Sequence, residues 1–177
     1  MNSLSIQNHS GYTSEFRAAT LLDDGNIVLA SDGSSISRCT VDEGRISIVP
    51  FEGKPEHLDR IQSVTISPDG QLVATATGNQ TIVIWNAESG KISCGPFGGH
   101  ADYIFGGHAD YIIEGHADYI CTLSFSPDST MVVSGSDDQK VSIWSVETGQ
   151  TIHGPMEGHE AGLGGVCFRF IHTYSGT

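Results

Sequence analysis

Residues 57–100 and 116–159 lie over one another without a gap. His57 falls on His116, Pro68 on Pro127, Trp85 on Trp144 and Gly90 on Gly149, each pair 59 residues apart. Within a copy, the step from His57 to His100, or from His116 to His159, is 43 residues. A chain that restarts its pattern at such a spacing is an array of small supersecondary units, each burying its apolar face only against its neighbours. The 16 residues by which 59 exceeds 43 are two copies of an octapeptide, since "GHADYIFGGHADYIIEGHADYIC" at 99–121 carries it three times.

A weaker copy lies upstream at 14–54. There Asp24-Gly25 corresponds to Asp69-Gly70, Cys39 takes the place of the tryptophan and Tyr12 that of the histidine. A further copy begins at "EGHEAGLGGVCF" (157–168) and loses the pattern, because "RFIHTYSGT" stands where a Ser-Pro-Asp turn is due. The chain therefore divides into an N-terminal segment at 1–11, a degenerate repeat at 12–54, a repeat at 55–98, inserted octapeptide copies at 99–114, a repeat at 115–157 and an interrupted repeat at 158–177. "SLSIQ" (3–7) has the composition of one stray strand.

Inside each unit the local code is β. "SVTIS" and "TLSFS" alternate apolar and polar residues, as do "TIVIWN" and "KVSIWS", which is the period of a pleated strand. "LVATAT" and "MVVSGS" are small and β-branched. "SPDG" and "SPDS" are turn chemistry, with Pro presetting φ, Asp bonding its own backbone and Gly taking positive φ. "ESG" and "ETG" mark another turn before a short fourth strand, "KISCGPF" or "QTIHGPM". The expectation is four short antiparallel strands per unit and no helix.

Gly-His, Ser-Pro-Asp, Ser-Gly-Ser-Asp-Asp and Ile-Trp at these offsets resemble the WD40 repeat of β-propellers over about residues 12–168. The resemblance implies an all-β fold of about three four-stranded blades plus the start of another, an incomplete propeller. It also implies hydrogen-bonded tetrads: His116, Ser134, Asp138 and Trp144 in one repeat, and His57, Thr75, Asn79 and Trp85 in the other. The sequence departs from the family pattern at Asn79 for Asp, at Lys140 for Thr, and at Trp85-Asn86 and Trp144-Ser145 for Trp-Asp. The first unit has no tetrad, so its blade is expected to be the least rigid. "GPFGGH" and "GPMEGH" between units resemble the uniform WD40 arrays of fungal NACHT-type proteins.

The formal charge of −13 disfavours nucleic acid and anionic membrane as partners. No apolar run approaches the roughly 20 residues of a membrane span, "MNSLSIQNHS" lacks the pattern of a secretory leader, and Cys39, Cys94, Cys121 and Cys167 have no paired spacing. Reduced thiols in the cytoplasm are expected. His, Ser and Asp are also hydrolase-triad types, but here they recur once per repeat without a nucleophile elbow. The His-Asp pairs of the octapeptides are metal-ligand types on an inserted loop. No catalytic residue, metal site or cofactor is assigned.

The leading expectation is a non-enzymatic scaffold for proteins or peptides. Asp59, Arg60, Tyr103, Tyr111, Asp118 and Tyr119 form its candidate interaction rim. The extra octapeptides are read either as contact anchors or as a recent duplication without a role. A non-functional fragment of a longer array, and a propeller hydrolase or metal-binding protein, are the alternatives. Three blades fall short of the four to eight that close a propeller, so self-association or blades from another chain are part of the expectation.

Overall fold

The computed structural model describes residues 16–21, 27–31, 35–42, 45–52, 60–98, 115–158, 162 and 164–168. Among them the chain forms twelve strands and no helix. The strands are β1 (Phe16–Leu21), β2 (Ile27–Ser31), β3 (Ile36–Asp42) and β4 (Arg45–Pro50), then β5 (Ile61–Ile66), β6 (Leu72–Thr77), β7 (Thr81–Asn86) and β8 (Ile92–Gly98), and then β9 (Ile120–Phe125), β10 (Met131–Ser136), β11 (Val141–Ser145) and β12 (Thr151–Met156). They make three four-stranded meanders, each strand bonded to its sequence neighbour. The pairing is antiparallel throughout. The sheets fall within residues 12–54, 55–98 and 115–157. The segment 3–7 lies outside the described residues, and no strand forms among the described residues after Met156.

The turns hold because a hydroxyl and a carboxylate satisfy the backbone locally. In the β5–β6 turn the Ser67 hydroxyl donates to Asp69 Oδ1 at 2.5 Å and accepts the Leu72 N–H at 2.8 Å, while Asp69 Oδ1 accepts the Gln71 N–H at 3.1 Å. Ser126, Asp128, Met131 and Thr130 repeat this between β9 and β10, at 2.6, 2.9 and 3.1 Å. These bonds, that of the serine hydroxyl foremost, hold both aspartates below the usual carboxylate range. Gly70 has φ 70°, and Ser129 takes the same left-handed turn position at φ 61°.

Strand alternation decides which sheet each residue meets. Along β7, Ile82 and Ile84 join a cluster with Ile120, Leu123, Phe125, Val132 and Trp144 of the third sheet. Val83 and Trp85, which alternate with them, join Ile36 of the first sheet. Both faces of the middle sheet are thus buried, and Ile82, Val83 and Ile84 are fully inaccessible. Each such side chain stabilises the packing by about 1.5–3 kcal/mol. The first strand of each sheet lies against the first strand of the next, β1 on β5 and β5 on β9, which is the arrangement of blades about a common axis.

Candidate functional site

In the third sheet the structure brings His116, Ser134, Asp138 and Trp144 into one hydrogen-bonded chain. Ser134 comes from the middle of β10 and Trp144 from β11 opposite it, with Val132 as the indole's direct cross-strand partner. Asp138 sits in the β10–β11 turn, and His116 precedes β9. The Trp144 Nε1–H donates to Ser134 Oγ at 2.8 Å. The serine hydroxyl then donates to His116 Nε2 at 2.7 Å. His116 Nδ1–H faces the Asp138 carboxylate, 3.1 Å from Oδ2 and 3.2 Å from Oδ1. Every donor meets an acceptor when the imidazole is neutral and protonated on Nδ1. His116 and Ser134 are both 0% exposed.

Asp138 ties this chain to the backbone. It accepts the N–H of Ala117 at 2.8 Å and that of Lys140 at 2.9 Å. Burial works against its charge, but the Ala117 N–H, the nearby imidazole and the Lys140 N–H outweigh it and hold the carboxyl below its usual range. The residue types are those of a hydrolase triad. The placement is not, because the hydroxyl lies in the core under an indole that hydrogen-bonds to it.

The second sheet carries part of the same arrangement. Trp85 Nε1–H donates to Thr75 Oγ1 at 3.0 Å, and the threonine hydroxyl reaches the Val83 carbonyl at 3.4 Å. Asn79 Oδ1 accepts from the hydroxyls of Thr77 and, at 2.8 Å, Thr81. His57 lies outside the described residues.

At the end of the sheets from which β5 and β9 start, Arg60 and Tyr119 occupy equivalent positions, 59 residues apart. The Arg60 carbonyl accepts the Gly78 N–H at 2.6 Å and the Tyr119 carbonyl accepts the Asp137 N–H at 3.0 Å. The backbone of each is therefore pinned while its side chain stays exposed, Tyr119 at 48%. Asp118 is exposed beside Tyr119 and accepts its N–H at 2.8 Å. Asp59, Tyr103 and Tyr111, like the inserted copies at 99–114, lie outside the described residues. Just beneath this rim, burial and then Asp137 push the Cys121 thiol up to about 11, which leaves it a poor nucleophile. All four cysteines are free.

Sequence reasoning overlooked the aromatic that covers each tryptophan. Phe51, just after β4, lies 6.0 Å from Trp85, and Phe97 in β8 lies 5.7 Å from Trp144, centroid to centroid. Each phenylalanine also rests on a glycine of the next sheet's last turn. A Cβ on Gly90 would come within 3.1 Å of Phe51, and one on Gly149 within 3.0 Å of the Phe97 ring. The signal was present: both phenylalanines lie within a residue of the end of a fourth strand, and both glycines close the "ESG" and "ETG" turns.

Residues 51–86 and 103–145 match the family model described as WD domain, G-beta repeat. These two stretches are WD40 repeats. Eukaryotic translation initiation factor 3 subunit I of Pyricularia oryzae is 27% identical over 55% of this chain, which covers 24% of that protein. WD repeat-containing protein 1 of Gallus gallus is 31% identical over 54% of the chain, covering 15% of that protein. The chain thus spans a quarter or less of the length of these relatives. Among solved structures, the RRP9 WD40 repeats superpose with a TM-score of 0.64 at 24% identity, over 86% of this chain and 41% of that one. The structure of U3-55K superposes at 0.63 and 26% identity, over 86% and 42%. The three sheets are WD40-type blades, and the described residues form an incomplete propeller.

Proposed function

We propose that this chain is a non-enzymatic scaffold whose WD40 blades present a rim of side chains to other proteins or peptides. WD40 repeat proteins are generally interaction scaffolds, and one observation carries the reading here. The Ser134, His116 and Asp138 side chains that resemble a catalytic group are spent on holding Trp144 inside the blade. The equivalent rim positions Arg60 and Tyr119 are meanwhile held by their carbonyls with their side chains exposed. Tyrosine and arginine are the types that most often anchor a protein contact. The phrases "GPFGGH" and "GPMEGH" support placing the chain among uniform arrays of the fungal NACHT type, and its unpaired thiols support a cytoplasmic setting.

The test compares the wild type with an Arg60→Ala, Tyr119→Ala variant by quantitative affinity purification from the source cells. The expected result is a defined set of proteins lost from the variant while its melting temperature stays unchanged. An unaltered set would remove the rim from the reading. Ester hydrolysis that disappears in a folded Ser134→Ala variant would replace it with an enzyme.

A further inference from the structure

The last strands of the three sheets are not alike. In the second and third sheets the final pairing is broken twice. The register between β7 and β8 shifts between Ile82 and Ile84 and again between Ile84 and Trp85. That between β11 and β12 shifts between Val141 and Ile143 and again between Ile143 and Trp144. Gly95 and Gly154 allow this irregularity, with φ of 100° and 123°. A Cβ on them would meet the Ile82 carbonyl at 2.8 Å and Ser142 at 2.9 Å. Pro96 and Pro155 follow, and proline has no N–H to offer. Bulges and prolines blunt a sheet edge against further pairing.

The first sheet keeps a regular edge. Its β3–β4 pairing runs from the Asp42–Arg45 pair to the Ser37–Pro50 pair without a shift. Val49 stands two positions before Phe51, where Gly95 precedes Phe97 and Gly154 precedes Met156. A β-branched residue does not take positive φ readily, so the strand stays regular until Pro50 ends it. Among the described residues β4 has no neighbour on its far side.

One bond tells which backbone groups that edge presents. The Phe51 N–H donates to the Ile36 carbonyl at 2.9 Å, so these two residues form a hydrogen-bonded pair. Such pairs alternate with unbonded ones along an antiparallel ladder. Val49 and Ser47 therefore turn their backbone groups to β3, while Ile48 and Ile46 turn their N–H and C=O outward. A row of outward donors and acceptors is matched by the backbone of another strand. Successive side chains point to opposite faces, and both faces are apolar here, with Ile48 37% and Val49 55% exposed.

We infer that the outer edge of β4 is a strand-addition site for an extended segment of a partner protein. The segment places two successive β-branched residues beside Ile48 and Val49, the pairing that favours neighbouring strands. Lysine or arginine flanks them, because a chain of charge −13 attracts cationic segments and repels acidic ones. The site uses neither Arg60 nor Tyr119, so it stands or falls separately from the rim.

The probe is a fluorescein-labelled octapeptide, Lys-Thr-Thr-Val-Ile-Thr-Thr-Lys, titrated with the 177-residue chain by fluorescence polarisation. Wild type is expected to bind it, with amide exchange at Ile46 and Ile48 slowed in the complex. The Arg60→Ala, Tyr119→Ala variant is expected to bind it equally. Ile48→Pro removes one outward N–H and no bond to β3. Its binding is expected to weaken by about tenfold, as for one lost backbone hydrogen bond, at an unchanged melting temperature. The octapeptide methylated on every backbone nitrogen between its lysines is expected not to bind wild type, which tests the edge without any variant. A wild type that ignores the octapeptide, binding that survives methylation, or unslowed exchange at Ile48 overturns the proposal. Equal binding of an octapeptide with glutamate at both ends overturns the cationic character of the partner. A wild type that sediments at twice 18.8 kDa while Ile48→Pro does not would give the edge to a second copy instead. Binding that appears only when residues 1–11 are removed would give it to the chain's own 3–7 segment.

Discussion

The two junctions between blades use the same device at different strength. Between the second and third blades, Trp144 is covered by Phe97 and surrounded by Ala74, Ile82 and Ile84, and its N–H enters a chain of four side chains that ends on a carboxylate. Between the first and second blades, Trp85 is covered by Phe51 and meets Ile36. Arg38, one residue before Cys39 as Ile84 is one before Trp85, extends its guanidinium across this junction to the Ala87 carbonyl at 3.5 Å. The indole there donates to a threonine, and Asn79 accepts two nearby hydroxyls. The apolar contact is what the repeat cannot vary. The polar group behind it tolerates an asparagine, Asn79, at the position where the third blade has Asp138.

The largest effect that separates the junctions comes from removing the indoles. Trp144→Ala is expected to cost about 3–5 kcal/mol, and Trp85→Ala to fall at the lower end of that range. Trp144→Ala leaves the Ser134 hydroxyl its contacts to His116 Nε2 and the Ser142 carbonyl, as Trp85→Ala leaves Thr75 its bond to the Val83 carbonyl. Urea unfolding with unchanged m-value measures both. Equal costs would show that the carboxylate-terminated chain adds nothing to the contact with Phe97.

Next comes the carboxylate itself. Asp138→Asn places in the third blade the residue type that the second has at Asn79. It is expected to cost about 1.5–3 kcal/mol at neutral pH, since the bonds lost are charge-assisted. The folded-state pKa of Asp138 is depressed. Its stabilisation is therefore complete above the unfolded value of about 3.9 and disappears as pH falls below that toward the folded value. In wild type, stability should fall over that acid range, and in Asp138→Asn the fall should be shallower. Parallel acid limbs would mean that the charge is not what the imidazole and the Ala117 N–H recognise.

Much of this was legible beforehand for a physical reason. Alternation, turn residues and the tryptophan are properties of one repeat, so aligning repeats exposes them. The His116–Ser134–Asp138–Trp144 group was named through the resemblance to the WD40 repeat, which carries over residue by residue because all its members lie in one unit. The partners of the indoles belong to the preceding unit, and no period within a single repeat expresses them. Met156 at the third equivalent position hides the aromatic pattern further. Arg38 at an apolar position and Ser129 at a glycine position are also invisible to alternation. A long stem packs like an aliphatic chain, and a short polar residue can adopt the left-handed turn.

A third comparison isolates the ring contact from backbone strain. Gly70 and Gly149 have φ of 70° and 69°, yet a Cβ at Gly70 meets nothing within 4 Å while one at Gly149 meets the Phe97 ring at 3.0 Å. Gly70→Ala is expected to cost about 1–2 kcal/mol, the left-handed penalty alone. Gly149→Ala should cost about 1 kcal/mol more, because the ring that covers Trp144 has to shift. Matching melting temperatures would mean that Phe97 yields without loosening the junction.

The smallest effect runs in the opposite direction. Ser142 occupies in the third blade the position of Val83 in the second. Val83 is fully buried among apolar residues, whereas the buried Ser142 hydroxyl makes no hydrogen bond among the described residues. A desolvated hydroxyl without a partner costs free energy that a methyl group does not. Valine would crowd the close approach of Gly154, whose added Cβ would come within 2.9 Å of the Ser142 backbone. Alanine removes the hydroxyl without adding volume. Ser142→Ala is therefore expected to stabilise the chain by up to about 1 kcal/mol, read as a higher urea midpoint with the same slope. A loss of stability would show that the hydroxyl has a hydrogen-bonding role after all, and that the stronger junction is satisfied throughout.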